Sequence, residues 1–371
     1  MREVILKTEL HRFKDCAAFA REFSLGAGDL IFTIRPIYEN YFEKLKLPVK
    51  TLFWEDFGSG EPTDLTTDAI IEAAAKLDFK RLIAVGGGSV VDIAKVVAAS
   101  GGRKTDELYA DPASIKRLRQ FVIVPTTCGT GSEVTNISII NRSSLGVKMG
   151  LVSDALFADQ AALIPELLME LPFDVFAASS IDALVHAVES ALSPKATDFT
   201  KMLSYRAIEI IIKNYIEIKE KGREARLPLL DSFLTASNYA GIAFGTAGCA
   251  AVHALSYPLG GSYHVPHGES NYAVFTGVMK NYLEIKDSGE ISKMMSFISS
   301  LLRRPKEESW DALEELLNEI LHKKALHEYG VKETELEEFA DSVMQCQQRL
   351  LANNFVPLDR ERVLKIYMEL Y

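Results

Sequence analysis

Short apolar runs alternate with helical patterns along the first 160 or so residues of the chain. Runs rich in β-branched and aromatic residues predict strands, and apolar positions spaced by three or four residues predict helices. The predicted strands are LIFTI (30–34), VKTLFW (49–54), RLIAV (81–85) and FVIVP (121–125). The helices predicted between them are PIYENYFEKLKL (36–47), residues 64–77 and VVDIAKVVAAS (90–100). This alternation predicts βαβ units and a mostly parallel sheet, because parallel strands need crossover connections that are usually helical.

Two further β-rich runs, residues 134–140 and 147–152, are separated by NRSSLG and predict a hairpin. Beyond Pro165 the pattern becomes helical, with apolar residues at three- and four-residue spacing. The longest such segments are residues 173–192, 199–221 and 309–324. We therefore predict an α/β dinucleotide-binding domain over residues 1–165 and an all-helical metal- and substrate-binding domain over residues 166–371. A cleft between two such domains is a favoured place for a ligand.

The overall composition excludes several classes of protein. The 371 residues include 48% hydrophobic and 25% charged residues, with a net charge of −10, which argues against binding to nucleic acid. We find no signal peptide, and no stretch of 18 uncharged apolar residues that would cross a membrane. The four cysteines lack a CxxC pair, which favours reduced thiols and a cytoplasmic location.

A glycine-rich segment, IAVGGGSVVDIAK, lies at a predicted turn from strand to helix. Gly86, Gly87 and Gly88 can adopt positive φ and let a ligand approach the backbone, and the N-terminus of the next helix favours phosphate. Ser89 can cap this helix or contact the phosphate. The spacing is not G-x-G-x-x-G, so a structural turn is the alternative to a pyrophosphate site.

A second loop of small residues, PTTCGTGSEVT (125–135), follows the strand FVIVP. Thr126 and Thr127 stand where the strands of an open α/β sheet deliver residues to a ligand, beyond their carboxyl ends. Two such loops after two strands favour a dinucleotide over a purely structural explanation.

Histidines and one aspartate form a candidate metal site. Asp182 and His186 lie four residues apart on a predicted helix and so share one face, although a simple hydrogen bond also fits this spacing. His253, His264 and His267 fall within HALSYPLGGSYHVPHGESN. A set of imidazoles with one carboxylate suits Fe(II) or Zn(II), whose Lewis acidity would lower the pKa of an alcohol. The alternative is that these histidines are packing residues.

The motifs GGGSVVDIAK, PTTCGTGSEVT, DALVH and HALSYPLGGSYHVPHGESN, in this order, resemble those of the iron-containing (group III) alcohol dehydrogenases. The resemblance implies the dehydroquinate synthase-like fold, in which a Rossmann-like α/β domain precedes a helical domain. It also implies hydride transfer between an alcohol and NAD or NADP. Within the family, the chain is most similar to members that interconvert 4-hydroxybutanoate and succinate semialdehyde.

The resemblance also assigns roles to individual residues. It implies a metal ion, Fe(II) or alternatively Zn(II), and pyrophosphate and cofactor contacts on the two loops. Lys148 in the predicted hairpin matches a lysine directed at the nicotinamide ribose. The implied metal ligands are Asp182, His186, His253 and His267, and the implied cofactor contacts are Gly87, Gly88, Ser89, Thr126, Thr127 and Lys148.

Two positions depart from the family pattern. Tyr257 stands where many members carry an additional, non-ligand histidine, so either Tyr257 or His264 is a candidate proton relay, with solvent or the ribose hydroxyl as alternatives. At the end of LIFTI, Ile34 and Arg35 replace an acidic residue that receives the adenosine ribose in many NAD-using members. The resemblance favours NAD, whereas Arg35 by itself favours NADP.

A substrate that carries a carboxylate needs a donor or cation in its pocket, because an unpaired buried carboxylate is costly. His264 is the first candidate for this role, followed by Tyr257, Asn136 and Arg349. Alternative functions are a same-fold dehydrogenase for 1,3-propanediol, lactaldehyde, butanol or glycerol, a dehydroquinate synthase, and a non-catalytic nucleotide- or metal-binding module.

We expect a small-molecule substrate and a homodimer or larger homo-oligomer. A predicted strand, VILKTE (4–9), could pair across a two-fold axis in such an oligomer.

Overall fold

The computed structural model describes residues 3–58 and 60–371. The chain folds into two compact units: the first is Leu6–Leu171, and the second is Pro172–Tyr371 together with the start of the chain up to Ile5. The boundary predicted from the sequence lies between residues 165 and 166. The N-terminal residues 3–5 are held to this helical unit by the hydroxyl of Thr197, which donates to the carbonyl of Glu3 at 2.7 Å.

The first unit is an α/β structure. Its strands are β1 (Glu9–Arg12), β2 (Asp29–Thr33), β3 (Lys50–Phe53), β4 (Arg81–Gly86), β5 (Gln120–Pro125), β6 (Ile137–Arg142), β7 (Val147–Val152) and β8 (Gln160–Leu163). Its α-helices are α1 (Cys16–Glu22), α2 (Arg35–Ile37), α3 (Asp64–Ala75), α4 (Gly88–Ser100) and α5 (Thr105–Ala110).

The main sheet of this unit has the strand order β1-β8-β5-β4-β2-β3, and all its neighbouring strands are parallel. The central strands are buried along almost their whole length, as expected for a parallel sheet that is covered on both faces. Strands β6 and β7 form the predicted antiparallel hairpin. The α/β architecture predicted from the sequence is therefore confirmed.

Two local predictions differ from the structure, and one strand was not predicted. Residues 4–8 contain no strand: the first strand begins at Glu9 and pairs in parallel with β8 inside the same sheet. The helix predicted over residues 36–47 is broken into the short helix α2, a π-helical turn (Tyr38–Phe42) and a 3-10 turn (Glu43–Leu45). Strand β8 was not predicted, because its short sequence QAAL lacks β-branched residues.

The second unit is helical, which confirms the predicted change of pattern. Its α-helices are α6 (Phe173–Leu192), α7 (Asp198–Lys221), α8 (Leu230–Ala247), α9 (Ala251–Tyr263), α10 (His267–Ile285), α11 (Glu290–Leu302), α12 (Ser309–Ile320), α13 (Leu336–Cys346), α14 (Gln348–Leu351) and α15 (Arg360–Leu370). Helix α6 is long and apolar enough to span a membrane by length and composition, but 83% of its apolar stretch is buried, as in a core helix. It packs against α7, α8 and α10.

Candidate functional site

Helix α6 supplies Asp182 and His186 from one face, as the spacing of four residues predicts. Both residues are buried, with 2% and 4% of their surface exposed. The ring of His186 stacks on Phe244 of α8, with 4.3 Å between the ring centroids. Asp182 Oδ2 lies 3.8 Å from His186 Nδ1. The buried imidazole of His186 therefore lies against an aromatic ring and close to a carboxylate.

Helix α9 supplies His253, and its Nε2 atom lies 2.9 Å from His186 Nε2. The other ring nitrogen, Nδ1, donates to the carboxylate of Glu189, which is 1% exposed, over 2.6 Å. Burial disfavours the charged imidazole, but Glu189 raises the pKa of His253 above its usual value. Because Nδ1 carries the proton shared with Glu189, Nε2 is free to present a lone pair to the cluster.

Glu189 also anchors the backbone at the start of α9. Its carboxylate accepts hydrogen bonds from the amides of Ala250 at 3.0 Å and Val252 at 2.6 Å. These amides would otherwise lack partners in the first turn of a helix. One buried carboxylate therefore fixes both the helix that carries His253 and the orientation of its ring.

Helix α10 begins with His267, whose Nε2 lies 3.8 Å from Asp182 Oδ1. Burial by itself would raise the pKa of Asp182, but the imidazoles of His186, His267 and His253 keep it below its ordinary value. One turn further along α10, Asn271 Nδ2 lies 2.7 Å from Asp182 Oδ1, 3.1 Å from His253 Nε2 and 3.2 Å from His267 Nε2. The Asn271 amide group therefore lies within hydrogen-bond distance of the Asp182 carboxylate and of both imidazoles.

The structure brings together the four residues predicted as metal ligands: Asp182, His186, His253 and His267. One donor atom from each lies within 4.8 Å of all the others. Their chemistry, with three imidazole nitrogens and one carboxylate oxygen, fits a divalent ion such as Fe(II) or Zn(II).

The two candidate relay residues are placed differently. Tyr257 lies one turn after His253 on α9, is 9% exposed, and has its ring centroid 6.4 Å from that of His267. His264 follows the end of α9 in a left-handed conformation, with φ of 55°, and its side chain is exposed. The structure therefore places Tyr257, but not His264, in ring contact with the cluster.

The two small-residue loops of the α/β unit begin side by side. Gly86 at the end of β4 is paired with Pro125 at the end of β5, and the amide of Thr126 donates to the carbonyl of Gly86 at 3.1 Å. Gly87 caps α4 without a side-chain hydrogen bond, and Ser89 donates to the carbonyl of Gly60 at 3.3 Å. Ser89 is thus not the cap of α4 in this structure. Thr126 is buried, whereas Thr127 is partly exposed beside Gly87.

None of the three glycines adopts the positive φ that glycine permits. The structure requires these glycines because of crowding instead. A Cβ on Gly86 would lie 2.5 Å from Val90 Cβ, and one on Gly88 would lie 2.9 Å from Thr130 Cγ2. The glycines therefore let α4 begin directly against the loop that follows β5.

Lys95 of α4 holds the second loop in place. Its ammonium group is fully buried and donates to Ser132 Oγ at 2.7 Å, Thr135 Oγ1 at 3.0 Å and the carbonyl of Ile137 at 2.7 Å. Burial lowers the pKa of Lys95 to about 8, although nearby carboxylates oppose this shift. Asp92 completes the network by accepting from the hydroxyl of Ser132 at 2.8 Å.

Lys148 lies on β7, opposite Asn141 in the hairpin. Its side chain is 7% exposed and forms a 2.6 Å ion pair with Glu61. Its predicted contact with a nicotinamide ribose stays a prediction.

Comparison with known proteins decides the family. The model named iron-containing alcohol dehydrogenase matches residues 16–165, and the model for the C-terminal part of the Fe-containing alcohol dehydrogenase family matches residues 176–371. The chain belongs to the iron-containing alcohol dehydrogenase family. It is therefore an oxidoreductase, as the sequence motifs predicted.

Individual relatives of this alcohol dehydrogenase extend over much of the chain. It is 43% identical to 4-hydroxybutyrate dehydrogenase of Clostridium kluyveri, with both chains covered completely. It is 35% identical to long-chain-alcohol dehydrogenase 1 of Geobacillus thermodenitrificans, over 83% of this chain and 79% of the relative. Its fold matches sulfoacetaldehyde reductase of Bifidobacterium kashiwanohense in complex with NAD+, with a TM-score of 0.85 and 22% identity over 100% of this chain and 98% of the other.

Two residues that contact the predicted metal ligands of this alcohol dehydrogenase were not singled out from the sequence. Glu189 lies seven residues after Asp182 and three after His186, so it extends the same face of α6. Asn271 lies four residues after His267 on α10. Helical spacing from the predicted ligands could have identified both residues as neighbours, but not the atoms that they contact.

Proposed function

We propose that this alcohol dehydrogenase interconverts 4-hydroxybutanoate and succinate semialdehyde. The observation that carries the proposal is the 43% identity to 4-hydroxybutyrate dehydrogenase over the full length of both chains, together with the buried donor cluster. In the oxidative direction, C4 of the substrate gives a hydride to the nicotinamide of NAD+ and the C4 hydroxyl loses its proton. The products are succinate semialdehyde, NADH and one proton.

Asp182, His186, His253 and His267 would hold the metal ion in this reaction. The ion supplies Lewis acidity, which lowers the pKa of the alcohol and polarises the aldehyde. We propose Fe(II), in keeping with the family, and Zn(II) as the alternative with the same ligands. Glu189 keeps the Nε2 lone pair of His253 directed at the cluster. Tyr257 is better placed than His264 for moving a proton, because it lies beside His267.

The proposed cofactor is NAD, bound by the N-terminus of α4 and the loop after β5. Gly87, Gly88 and Ser89 would face the pyrophosphate, since the first amides of a helix favour anions. Thr126 and Thr127 would contact the cofactor from the neighbouring loop, and Lys148 would contact the nicotinamide ribose.

The surroundings of Arg35 support NAD over NADP. Its guanidinium forms an ion pair with Asp56 and lies 4.4 Å from the ring centroid of Phe53, and its backbone amide donates to Glu55 at 2.9 Å. The positive charge that would attract a 2′-phosphate is thus already paired. Two carboxylates beside it would repel that phosphate. The pairing of Arg35 with Asp56 therefore opposes the preference for NADP that Arg35 by itself suggests.

The experiment is an assay of protein loaded anaerobically with Fe(II) or with Zn(II). Succinate semialdehyde, butanal, lactaldehyde, 1,3-propanediol and glycerol are tested with NAD(H) and with NADP(H). The proposal requires the highest kcat/KM for succinate semialdehyde with NADH. A higher value for an uncharged substrate would replace it by the corresponding same-fold alcohol dehydrogenase, and bound cofactor without turnover would support a non-catalytic module.

We also propose a homodimer or larger homo-oligomer and a cytoplasmic location. Among the described residues, Cys16, Cys128, Cys249 and Cys346 form no disulfide, in keeping with a reducing compartment.

A further inference from the structure

Asn271 is a fully buried side chain that contacts three of the four predicted metal ligands. It lies four residues after His267 on α10, so the two side chains share one face of that helix. Its Nδ2 atom is 2.7 Å from Asp182 Oδ1, 3.1 Å from His253 Nε2 and 3.2 Å from His267 Nε2. One amide group therefore meets ligand atoms that come from three different helices.

The orientation of this amide is the one that its neighbours favour. Nδ2 faces the carboxylate of Asp182, which can only accept hydrogen bonds, whereas turning the amide over would bring its oxygen against another oxygen. Asn271 Oδ1 is buried and has no hydrogen-bond partner among the residues that the structure describes. An unpartnered buried acceptor lowers stability, so an apolar side chain would serve better if Asn271 were needed for packing alone.

Among the three acceptors, the carboxylate alone can serve the amide and an ion together. The acceptor nitrogen of a neutral imidazole has one lone pair, which His253 and His267 would give to the ion in the proposed metal centre. Each oxygen of a carboxylate has two lone pairs. Asp182 Oδ1 lies 3.8 Å from Nε2 of both histidines, so the oxygen that accepts from Asn271 also faces the other ligand atoms.

We propose that Asn271 is a positioning residue of the metal centre, which holds the carboxylate of Asp182 through Nδ2 while that carboxylate binds the ion. This inference rests on the proposed function, because it requires Asp182 to be a metal ligand. The amide is neutral, so it fixes the carboxylate without placing a second negative charge beside it. Partners of this kind orient a metal ligand and adjust the properties of the ion that it holds. Asn271 thereby influences both the affinity of the centre for metal and the Lewis acidity available there.

Two substitutions of Asn271 are expected to affect metal binding differently. Asn271→Ala removes the donor, so we expect the affinity for Zn(II) to fall about 10- to 100-fold, as is typical when the partner of a metal ligand is lost. Asn271→Asp keeps the size of the side chain but places a second carboxylate against Asp182, and a divalent cation relieves the repulsion between the two. We therefore expect Asn271→Asp to bind Zn(II) at least as tightly as wild type. Competition with a coloured chelator measures both affinities.

Activity and spectra of the same variants separate metal affinity from Lewis acidity. When saturated with Zn(II), Asn271→Asp should reduce succinate semialdehyde with a kcat about 10- to 100-fold below wild type, because the added negative charge weakens the Lewis acidity at the centre. The visible absorption of Co(II) bound in place of Zn(II) depends on the ligands and their geometry. We expect these absorption bands to differ from those of wild type in both variants.

Asn281 provides the matched control on the same helix. It is also fully buried, and its Nδ2 atom donates to the carboxylate of Glu369 at 2.7 Å, the same distance as between Asn271 and Asp182. Asn281→Ala and Asn281→Asp make the same chemical changes to a pair of buried amide and carboxylate that lacks a predicted metal ligand. Both controls are expected to lower thermal stability and to leave the Zn(II) affinity and the Co(II) spectrum as in wild type.

The outcomes distinguish the role of Asn271 from the proposed function. Weaker Zn(II) binding in Asn271→Ala, with tight binding and a lower kcat in Asn271→Asp, supports the positioning role. Affinities and Co(II) spectra that match wild type, or an equal loss of affinity in both variants, overturn this role and leave the proposed metal centre in place. Each variant has its own expected change, so either one tests the role if the other fails to fold. Wild type that binds neither Zn(II) nor Co(II) overturns the metal centre and the role of Asn271 together.

Discussion

Gly268 packs directly on the backbone of Ala178, so closely that a Cβ on Gly268 would lie 2.2 Å from the carbonyl oxygen of Ala178. The same Cβ would lie 3.3 Å from Asp182 Cβ. Gly268 follows His267 at the start of α10, and Ala178 precedes Asp182 by one turn on α6. The close approach of these two helices therefore sets the distance between two predicted metal ligands.

Gly268→Ala should separate α10 from α6 and move His267 away from Asp182. We expect the free energy of unfolding to fall by about 1 to 3 kcal/mol, the usual cost of overpacking a core, and metal affinity to fall with it. Thermal unfolding and metal titration measure the two effects. Gly261→Ala on α9 is the control, because a Cβ there meets nothing within 4 Å. Normal stability and metal binding in Gly268→Ala would disprove the close approach.

Glu189→Gln tests whether the hydrogen bond to His253 Nδ1 prepares the opposite nitrogen for metal. A glutamine nearly preserves the size of the side chain but removes its charge and half of its acceptors. We expect metal affinity to fall about 10- to 100-fold, as is typical when a partner of a metal-binding histidine is lost. Competition with a coloured chelator measures the affinity, and Glu220→Gln on α7 is an exposed control. Unchanged affinity in Glu189→Gln would show that His253 does not need this carboxylate.

Asp56→Asn tests the argument for NAD. The variant removes a carboxylate from the guanidinium of Arg35, so the arginine becomes free to meet a 2′-phosphate. We expect the ratio of kcat/KM for NADPH to that for NADH to rise by up to about fivefold, because an exposed charge pair contributes up to about 1 kcal/mol. Asp78→Asn, an exposed change in the same unit, should leave the ratio unaltered. If this ratio is unchanged in both variants, Arg35 does not determine the choice between NAD and NADP.

The sequence predicted the main elements because their patterns are strong. The helix predicted over residues 173–192 has the bounds of α6, since its apolar positions recur at helical spacing over five turns. The buried strands β2, β4 and β5 were recognised from their β-branched runs. The interruptions of the helix predicted over residues 36–47 were missed. The apolar spacing there fits a helix but does not reveal the π-helical and 3-10 turns.

The candidate site was predicted in part for similar reasons. Local spacing pairs Asp182 with His186, whereas the approach of His253 to His186 depends on how α9 packs and came from the family resemblance. Contacts across many residues, such as that between Glu189 and His253, have no local signal. The glycine segment shows the same limit: its position was predicted, but its crowding against Val90 and Thr130 is a property of the folded unit.

The central claim is that Asp182, His186, His253 and His267 hold the ion used in hydride transfer. It is tested most directly by measuring bound metal and NADH-dependent reduction of succinate semialdehyde in the same preparations of wild type, His267→Ala and the exposed control His322→Ala. We predict stoichiometric metal and activity in wild type and His322→Ala, and loss of both in folded His267→Ala. Retention of metal and activity in His267→Ala would contradict the assignment of this cluster.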